Sequence, residues 1–369
     1  MSRSQVRFLL FIVAAAVIVL VAIWVKSRYG QPPVRTQGDS QELSRNDRGA
    51  ARASPSSDQR PSAGGPVKQA RPAGRLVPEG RASSQSPSAA TMPRAPRISP
   101  ADRARAATLL EKGLSLDSEN QLVAARAALA DGLNTGALEP QQADAVRAKL
   151  AELANKSLFS REVLPDDPCT GWYTIKPGEV LVTVERALKL RVPTQLILKI
   201  NGIADARKIQ ANQKLKVLYG PFHAVVSKSR FTLDVYLEEA ETRRMIFVRR
   251  FRVGIGKDGA TPVGPWRVAV GGKTIKPEWT PPSSSGLPRG PIRPTDPRYP
   301  LGKKGYWISL EGVKPNPYTK RDGYGIHDTN DPASIGKAAS MGCIRLVDDD
   351  MEQLFFMLYE GWSTVTILP

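Results

Sequence analysis

The chain runs to 369 residues, with 53 lysines and arginines against 35 aspartates and glutamates, a net charge of +18, two histidines and two cysteines. That length holds two or three folded modules. The charge invites a nucleic-acid reading, but the basic residues are scattered along the whole sequence without a recognised nucleic-acid fold, so anionic lipids and anionic wall polymers are the simpler partners.

Taken in chain order, Phe8 to Val25 is an unbroken apolar run of membrane-spanning length, with Arg3 and Arg7 before it and Lys26 and Arg28 after it. It exceeds the apolar core of a removed signal, and no small-x-small cleavage site follows Trp24. The run predicts an uncleaved single-pass anchor in the plasma or inner membrane, with residues 1–7 as a cytoplasmic tip and the bulk of the chain periplasmic or extracytoplasmic. Residues 26–99 are rich in Pro, Ser, Gly, Ala and Arg with few large apolar side chains, the composition of a disordered tether. In residues 100–160, Leu109, Leu110, Leu122, Ala125, Leu129, Leu150 and Leu153 recur at helical spacings. They predict a short α-helical segment of two or three amphipathic helices, read as a hairpin that spaces the modules or offers a partner surface.

Residues 172–219 give a short strand, a Pro177-Gly178 turn, a helix from Leu181 to Leu190, a second helix opened by Pro193, a stop at Asn201-Gly202, and a strand through Leu215 and Val217. This small βααβ unit resembles a LysM module, with Asn201-Gly202 and Gln213-Lys214-Leu215 at that family's landmarks. Asn212 stands where Gly is usual, a position that the left-handed tolerance of Asn allows. The resemblance implies binding to glycans that contain N-acetylglucosamine, such as peptidoglycan; a rigid spacer is the other reading.

The remaining residues, 221–369, read as mainly β. Phe231, Leu233, Val235 and Leu237 alternate with Thr232, Asp234 and Tyr236, the pattern of a half-buried strand. A turn over Glu239 to Thr242 leads to a second strand at Met245 to Val253. Further strands are expected at Trp307 to Leu310 and Thr364 to Leu368, and His223 is expected to begin a strand and pack there. Asp349 followed by Glu352 has capping-box spacing, predicting a helix that carries Leu354, Phe355 and Leu358 and stops near Gly361. The three aspartates at its start suit the positive end of the helix dipole.

The chemistry concentrates between Tyr324 and Leu346, where His327 precedes Cys343 by sixteen positions. An imidazole within reach of a thiol can take its proton and leave a nucleophilic thiolate. On an extended segment Cys343 and Arg345 share one face, with Ile344 and Leu346 on the other. Gly342 lets a carbonyl approach the backbone, the amides of Gly342 and Cys343 are candidate oxyanion donors, and Ser340 would shape the turn. By themselves a lone Cys and a lone His are more often inert core residues.

The wider pattern is more specific. Gly325-Ile326-His327, the run Ser340-Met341-Gly342-Cys343-Ile344-Arg345-Leu346, then Asp350 and Leu354, resemble the signature of the YkuD-type L,D-transpeptidases. Thr261-Pro262-Val263-Gly264-Pro265-Trp266 and Lys276-Pro277-Glu278-Trp279-Thr280-Pro281-Pro282 resemble upstream segments of that family. The chain departs from it at Asp328, where Gly is frequent, and at Met341, where His is frequent, which leaves His327 as the base.

The resemblance implies a mainly-β YkuD-like domain in which Cys343 attacks the carbonyl joining the third residue of a tetrapeptide stem to its terminal D-Ala. The thioester that forms is resolved by the amine of another stem, by an envelope protein or by water. His327 would act as general base, with the main chain of Asp328 orienting its ring. Ser340 and Gly342 would shape the pocket. Arg345 would stabilise the thiolate or hold a substrate carboxylate, or else pair with Asp348 to Asp350. The implied chemistry needs no metal or organic cofactor. Cys169, in a Pro/Asp-rich junction, is expected to be a free thiol, since pairing with Cys343 would disable the nucleophile. Three other readings stay open: a sortase-like enzyme, an L,D-carboxypeptidase of the same fold, and a non-catalytic wall-binding protein.

Overall fold

Residues 98–281, 286 and 290–369 are described by a computed structural model. The expected anchor at 8–25, the tip at 1–7 and the tether as far as residue 97 lie outside the described residues. Among the described residues, no helix is long and apolar enough to cross a membrane.

Three helices come first: α1 (Pro100–Ser118), α2 (Leu122–Asn134) and α3 (Pro140–Ser157). Both α1 and α3 carry Pro in the first turn, where no amide hydrogen is needed. Ser99 and Asp102 close a reciprocal capping box on α1, and Glu139 and Gln142 do so on α3. The βααβ unit follows, with β1 (Thr170–Thr174) antiparallel to β2 (Lys214–Leu218) and α4 (Leu181–Leu188) and α5 (Thr194–Ile200) between them. Helix α4 ends two residues before the expected Leu190, because Lys189 turns left-handed with φ +52°. Buried Asn201 stops α5 and staples it to β2: its side-chain amide donates to the Ile197 and Lys216 carbonyls, and its oxygen accepts the Lys216 amide, each at 2.8 Å. Asn212 adopts the left-handed conformation its position requires, at φ +65°.

The rest builds an eight-stranded sheet in the order β11-β9-β8-β7-β12-β3-β4-β5. Its strands are β3 (Phe222–Ser227), β4 (Thr232–Glu238), β5 (Met245–Arg252), β7 (Gly264–Ile275), β8 (Tyr306–Gly312), β9 (Gly325–Asp328), β11 (Ile344–Leu346) and β12 (Thr364–Leu368). Two further short strands, β6 (Ile255–Gly256) and β10 (Ala338–Ser340), pair in parallel beside it. The sheet rolls until its ends meet: Gly254, just past β5, exchanges both backbone hydrogen bonds with Arg345 of β11, each at 2.9 Å. That seam fixes β11, and with it the backbone beside Cys343.

One continuous apolar core serves all three segments. Leu129, Leu150 and Leu153 from the helices, Leu190 and Ile197 from the βααβ unit, and Phe222, Phe247, Trp266 and Val365 from the sheet belong to it. Each such buried side chain contributes about 1.5–3 kcal/mol. The helical segment is therefore no free-standing spacer hairpin; α2 and α3 lie against β5. This also revises the half-buried reading of β4, in which Thr232 and Asp234 are buried along with the apolar positions. Asp234 faces protein, bonding Arg250 at 2.6 Å and lying 3.4 Å from Arg147 of α3. A carboxylate removed from water needs such partners.

The βααβ unit is docked on the sheet domain. Glu185 accepts from the Tyr359 hydroxyl, the Gly220 amide donates to the Leu190 carbonyl at 2.7 Å, and the Arg191 guanidinium lies 3.7 Å above the Trp362 ring. Buried Lys216 donates to the carbonyls of Ser157, the last residue of α3, and of Ser160 and Glu162 just beyond it, and burial lowers its pKa to about 8.

Helix α6 (Asp348–Met357) corrects two expectations. Its N-cap is Val347, with no side-chain cap, so the Asp349/Glu352 box does not form. The acids instead hold the preceding loop: Asp348 accepts the Lys303 amide at 3.2 Å, and Asp349 and Glu352 flank the Lys304 ammonium at 2.8 and 3.2 Å. The helix ends at Met357 and not near Gly361, and the Phe355 and Leu358 carbonyls accept from Lys273 Nζ at 2.5 and 2.7 Å. Burial brings the Lys273 pKa down to about 7.

Candidate active site

Strands β9 and β11 run parallel with Ile344 beside Ile326, Arg345 beside His327 and Leu346 beside Asp328. Ile326, Ile344 and Leu346 are buried in the core. Alternation then sets His327 and Arg345 on the opposite face, and continuing the register places Cys343 beside Gly325 on that same face. The strand register thus sets Cys343, His327 and Arg345 on one face.

His327 is almost fully buried, its ring stacked on Trp307 with centroids 5.4 Å apart and planes 17° from parallel. Its Nδ1 lies 2.5 Å from the Asp328 carbonyl oxygen. A carbonyl only accepts, so Nδ1 carries the hydrogen and Nε2 is left as the basic nitrogen. Burial pushes the imidazole pKa down to about 4; the Asp328 bond opposes that and the charge of Arg345 adds to it.

Cys343 is half-buried, and its Sγ points to the Gly323 carbonyl at 3.7 Å instead of to the imidazole. Burial raises the thiol pKa to about 11, opposed by a backbone hydrogen bond from Gly325 and by Arg345. At neutral pH the pair therefore rests as thiol and neutral imidazole. A proton could pass from the thiol to Nε2 only after the Cys343 side chain turned toward the imidazole, a tightening familiar in sites without substrate.

The loop before Cys343 is clamped from two sides. Ser340 donates to the Cys343 carbonyl at 2.6 Å and accepts the Gly342 amide at 3.1 Å. This corrects the expectation that the Gly342 amide is an oxyanion donor: it is already engaged, which leaves the Cys343 amide. Buried Thr261 donates to the Gly342 carbonyl at 2.9 Å and accepts the Gly256 amide at 2.7 Å. Gly342 itself has φ +135°, and a Cβ there would sit 2.9 Å from the Ala260 oxygen and 3.0 Å from Tyr324 Cε1. Only glycine fits that corner.

Arg345 forms no ion pair among the described residues, and its Nε is buried without a hydrogen-bond partner. The expected pairing with Asp348 to Asp350 is absent, because Asp348 and Asp349 hold the 303–304 loop and Asp350 lies in the field of Arg249. The carboxylate of Asp328 is fully buried and accepts the Gly305 amide at 2.6 Å. Cys169 is a free, buried thiol whose pKa burial raises to about 12.

Sequence reasoning did not assign roles to Thr261, Tyr324 or Trp307. Thr261 stood inside a quoted motif and Trp307 on an expected strand, but neither position revealed what it would touch. Tyr324 also closes an aromatic cluster, its ring edge-on to Tyr318 at 4.9 Å and tilted against Trp266 at 5.4 Å. A cavity of about 610 Å³ opens beyond the far ends of β9 and β11, between Tyr299, Lys303, Asn330 and Asp348; neither Cys343 nor His327 lines it. Among the described residues, no three His, Cys, Asp or Glu side chains gather to hold a metal ion.

Residues 221–367 match the L,D-transpeptidase catalytic domain family YkuD, and residues 173–218 match the LysM domain family. Two relatives bear the name "Putative L,D-transpeptidase YkuD". That of Bacillus licheniformis is 28% identical over 205 residues, which are 53% of this chain and 98% of the relative. That of Bacillus subtilis is 29% identical over 203 residues, 53% of this chain and 97% of the relative. Among solved structures, an L,D-transpeptidase from Mycobacterium smegmatis is 19% identical with a TM-score of 0.28, over 43% of this chain and 64% of that one.

Proposed function

We propose that this chain, whose residues 221–367 match the L,D-transpeptidase catalytic domain family and whose residues 173–218 match the LysM domain family, is a membrane-tethered enzyme that cross-links or remodels peptidoglycan through a Cys343 acyl-enzyme. The observation that carries this reading is the parallel pairing of β9 with β11. It sets the Cys343 thiol and the His327 imidazole on one face while the Asp328 carbonyl holds Nδ1–H and leaves Nε2 basic.

The chemistry follows from those positions. A thiol near 11 beside an imidazole near 4 forms no ion pair at rest, so the proton passes to Nε2 as sulfur bonds to the scissile carbonyl carbon. The Cys343 amide is the donor proposed for the oxygen that becomes negative, since the Gly342 amide is held by Ser340. Collapse breaks the C–N bond, Nε2 returns its proton to the departing D-Ala amine, and a thioester remains. An acceptor amine then attacks the thioester, gives its proton to Nε2, and expels the thiolate, which His327 reprotonates. Arg345, without an ion pair among the described residues and on the same face as both groups, favours the thiolate or holds a substrate carboxylate.

The LysM domain supplies adhesion to the glycan, residues 8–25 supply a single-pass membrane anchor, and residues 26–99 span the gap to the wall. Incubating the purified protein with disaccharide-tetrapeptides and following products by mass spectrometry tests the enzymatic part. Cross-linked dimers with release of D-Ala are expected, together with a carbapenem adduct on Cys343. Release of D-Ala without dimers would make it a carboxypeptidase, and neither product nor adduct would leave a wall-binding protein. Removing residues 1–29 should shift the protein from the membrane fraction to the soluble one; retention in the membrane fraction would refute the anchor.

A further inference from the structure

We propose that the side chain of Asp328 is a positioning residue for His327, tying together the carbonyl that orients the imidazole and the Trp307 ring that covers it. The inference rests on reading His327 as the general base, but its first test does not.

Asp328 follows His327 at the end of β9, and its backbone oxygen is the Nδ1 acceptor. Its carboxylate, fully buried, reaches across to the start of β8 and accepts the Gly305 amide at 2.6 Å. Two residues beyond Gly305 comes Trp307, directly opposite His327 in the β8–β9 ladder and stacked on its ring. One side chain thus sets both contacts that hold the imidazole: the peptide group behind it and the strand that carries its aromatic cover. The Gly302 backbone passes so close that a Cβ there would fall 3.0 Å from Asp328 Oδ2 and 2.0 Å from Asp348 Oδ1, which leaves the carboxylate little freedom to move.

Retaining this group is costly. Its Oδ1 has no hydrogen-bond partner among the described residues, and burial raises its pKa above the ordinary carboxylate value. A buried acceptor left unsatisfied destabilises the fold. A smaller residue at 328 would avoid that cost but would release the Gly305 end of β8 and allow the 328 peptide to turn, freeing Nδ1.

The chain has two histidines, so ¹⁵N-histidine NMR on the intact protein resolves both rings, with His327→Gln assigning the signals. Wild type should show His327 protonated on Nδ1 alone. Asp328→Ala should show a mixture of the two tautomers, whereas Asp328→Asn, which keeps an acceptor for the Gly305 amide, should restore the wild-type pattern. Carbapenem acylation of Cys343 should slow about 10- to 100-fold in Asp328→Ala with its concentration dependence unchanged, the scale expected of a misplaced catalytic group, and recover to within about threefold in Asp328→Asn. Should Asp328→Ala not fold, Asp328→Ser, too short to reach Gly305, takes its place. A single Nδ1–H tautomer with undiminished acylation in the folded alanine or serine variant overturns the proposal, as does scrambling in the asparagine variant. Failure of acylation in wild type would instead overturn the enzymatic reading, with the tautomer result still deciding the role of Asp328.

Discussion

The two histidines occupy contrasting surroundings. His223 on β3 has the more conventional partner: its Nε2 lies 3.1 Å from the Glu238 carboxylate, which Arg243 also grips. Its Nδ1 accepts the Thr364 amide at 3.1 Å, so the ring is occupied at both nitrogens. Burial lowers its pKa although Glu238 works the other way. His327 has only a carbonyl as hydrogen-bond partner among the described residues, so one nitrogen remains uncommitted on the face that carries a thiol. A carboxylate neighbour therefore does not by itself mark a base; in the mechanism proposed above, the unused lone pair beside the thiol fills that role.

The strongest way to break this contrast is to remove sulfur. Cys343→Ala should abolish the carbapenem adduct in intact-mass measurements while the protein stays folded, and a surviving adduct would place the nucleophile elsewhere. Replacing the base comes next: His327→Ala should slow acylation about 10²- to 10⁴-fold, the usual contribution of a general base.

Between pH 7 and 9, alkylation of Cys343 by iodoacetamide should rise about tenfold per unit. The thiolate is a minor species until the pH approaches about 11, and each unit below that divides it by ten. A plateau between pH 5 and 7 would instead reveal a preformed thiolate–imidazolium pair. Thr261→Val removes the bond to the Gly342 carbonyl and the acceptor for Gly256, which should cost about 1–3 kcal/mol in denaturant unfolding. The smallest effect is expected at the other histidine, where His223→Gln should lower the melting temperature yet leave acylation within about twofold. A large loss of acylation there would erase the distinction between the two rings.

Much of this site was legible because its central features are local. The sixteen-residue interval, the alternation around Cys343 and the glycine before it lie within one short stretch, and backbone rules alone put Cys343 and Arg345 on one face. Strand β12 and the break at Asn201-Gly202 were equally plain, because apolar spacing and an Asn-Gly helix stop act over a few residues. What escaped depends on distance. Thr261 grips Gly342 from 81 positions away, and nothing near Thr261 announces that contact. Alternation on β4 suggested a wet face, but Asp234 is covered by a helix whose sequence gave no sign of where it would dock. The acids of α6 had the spacing of a cap and instead met Lys304, a choice fixed only when the preceding loop arrives.

The seam at Gly254 and Arg345 has a practical consequence for anyone cutting the gene. Strand β5 leads straight into that seam and is braced from outside by Arg244 on Asp131 and Arg250 on Asp144. Trimming the polypeptide to the segment recognised as catalytic would strip away those outer buttresses, bare the greasy flank beneath them, and slacken the hoop on which the cysteine hangs. The stretch that matches the catalytic family is shorter than the stretch that must be expressed to keep it in shape.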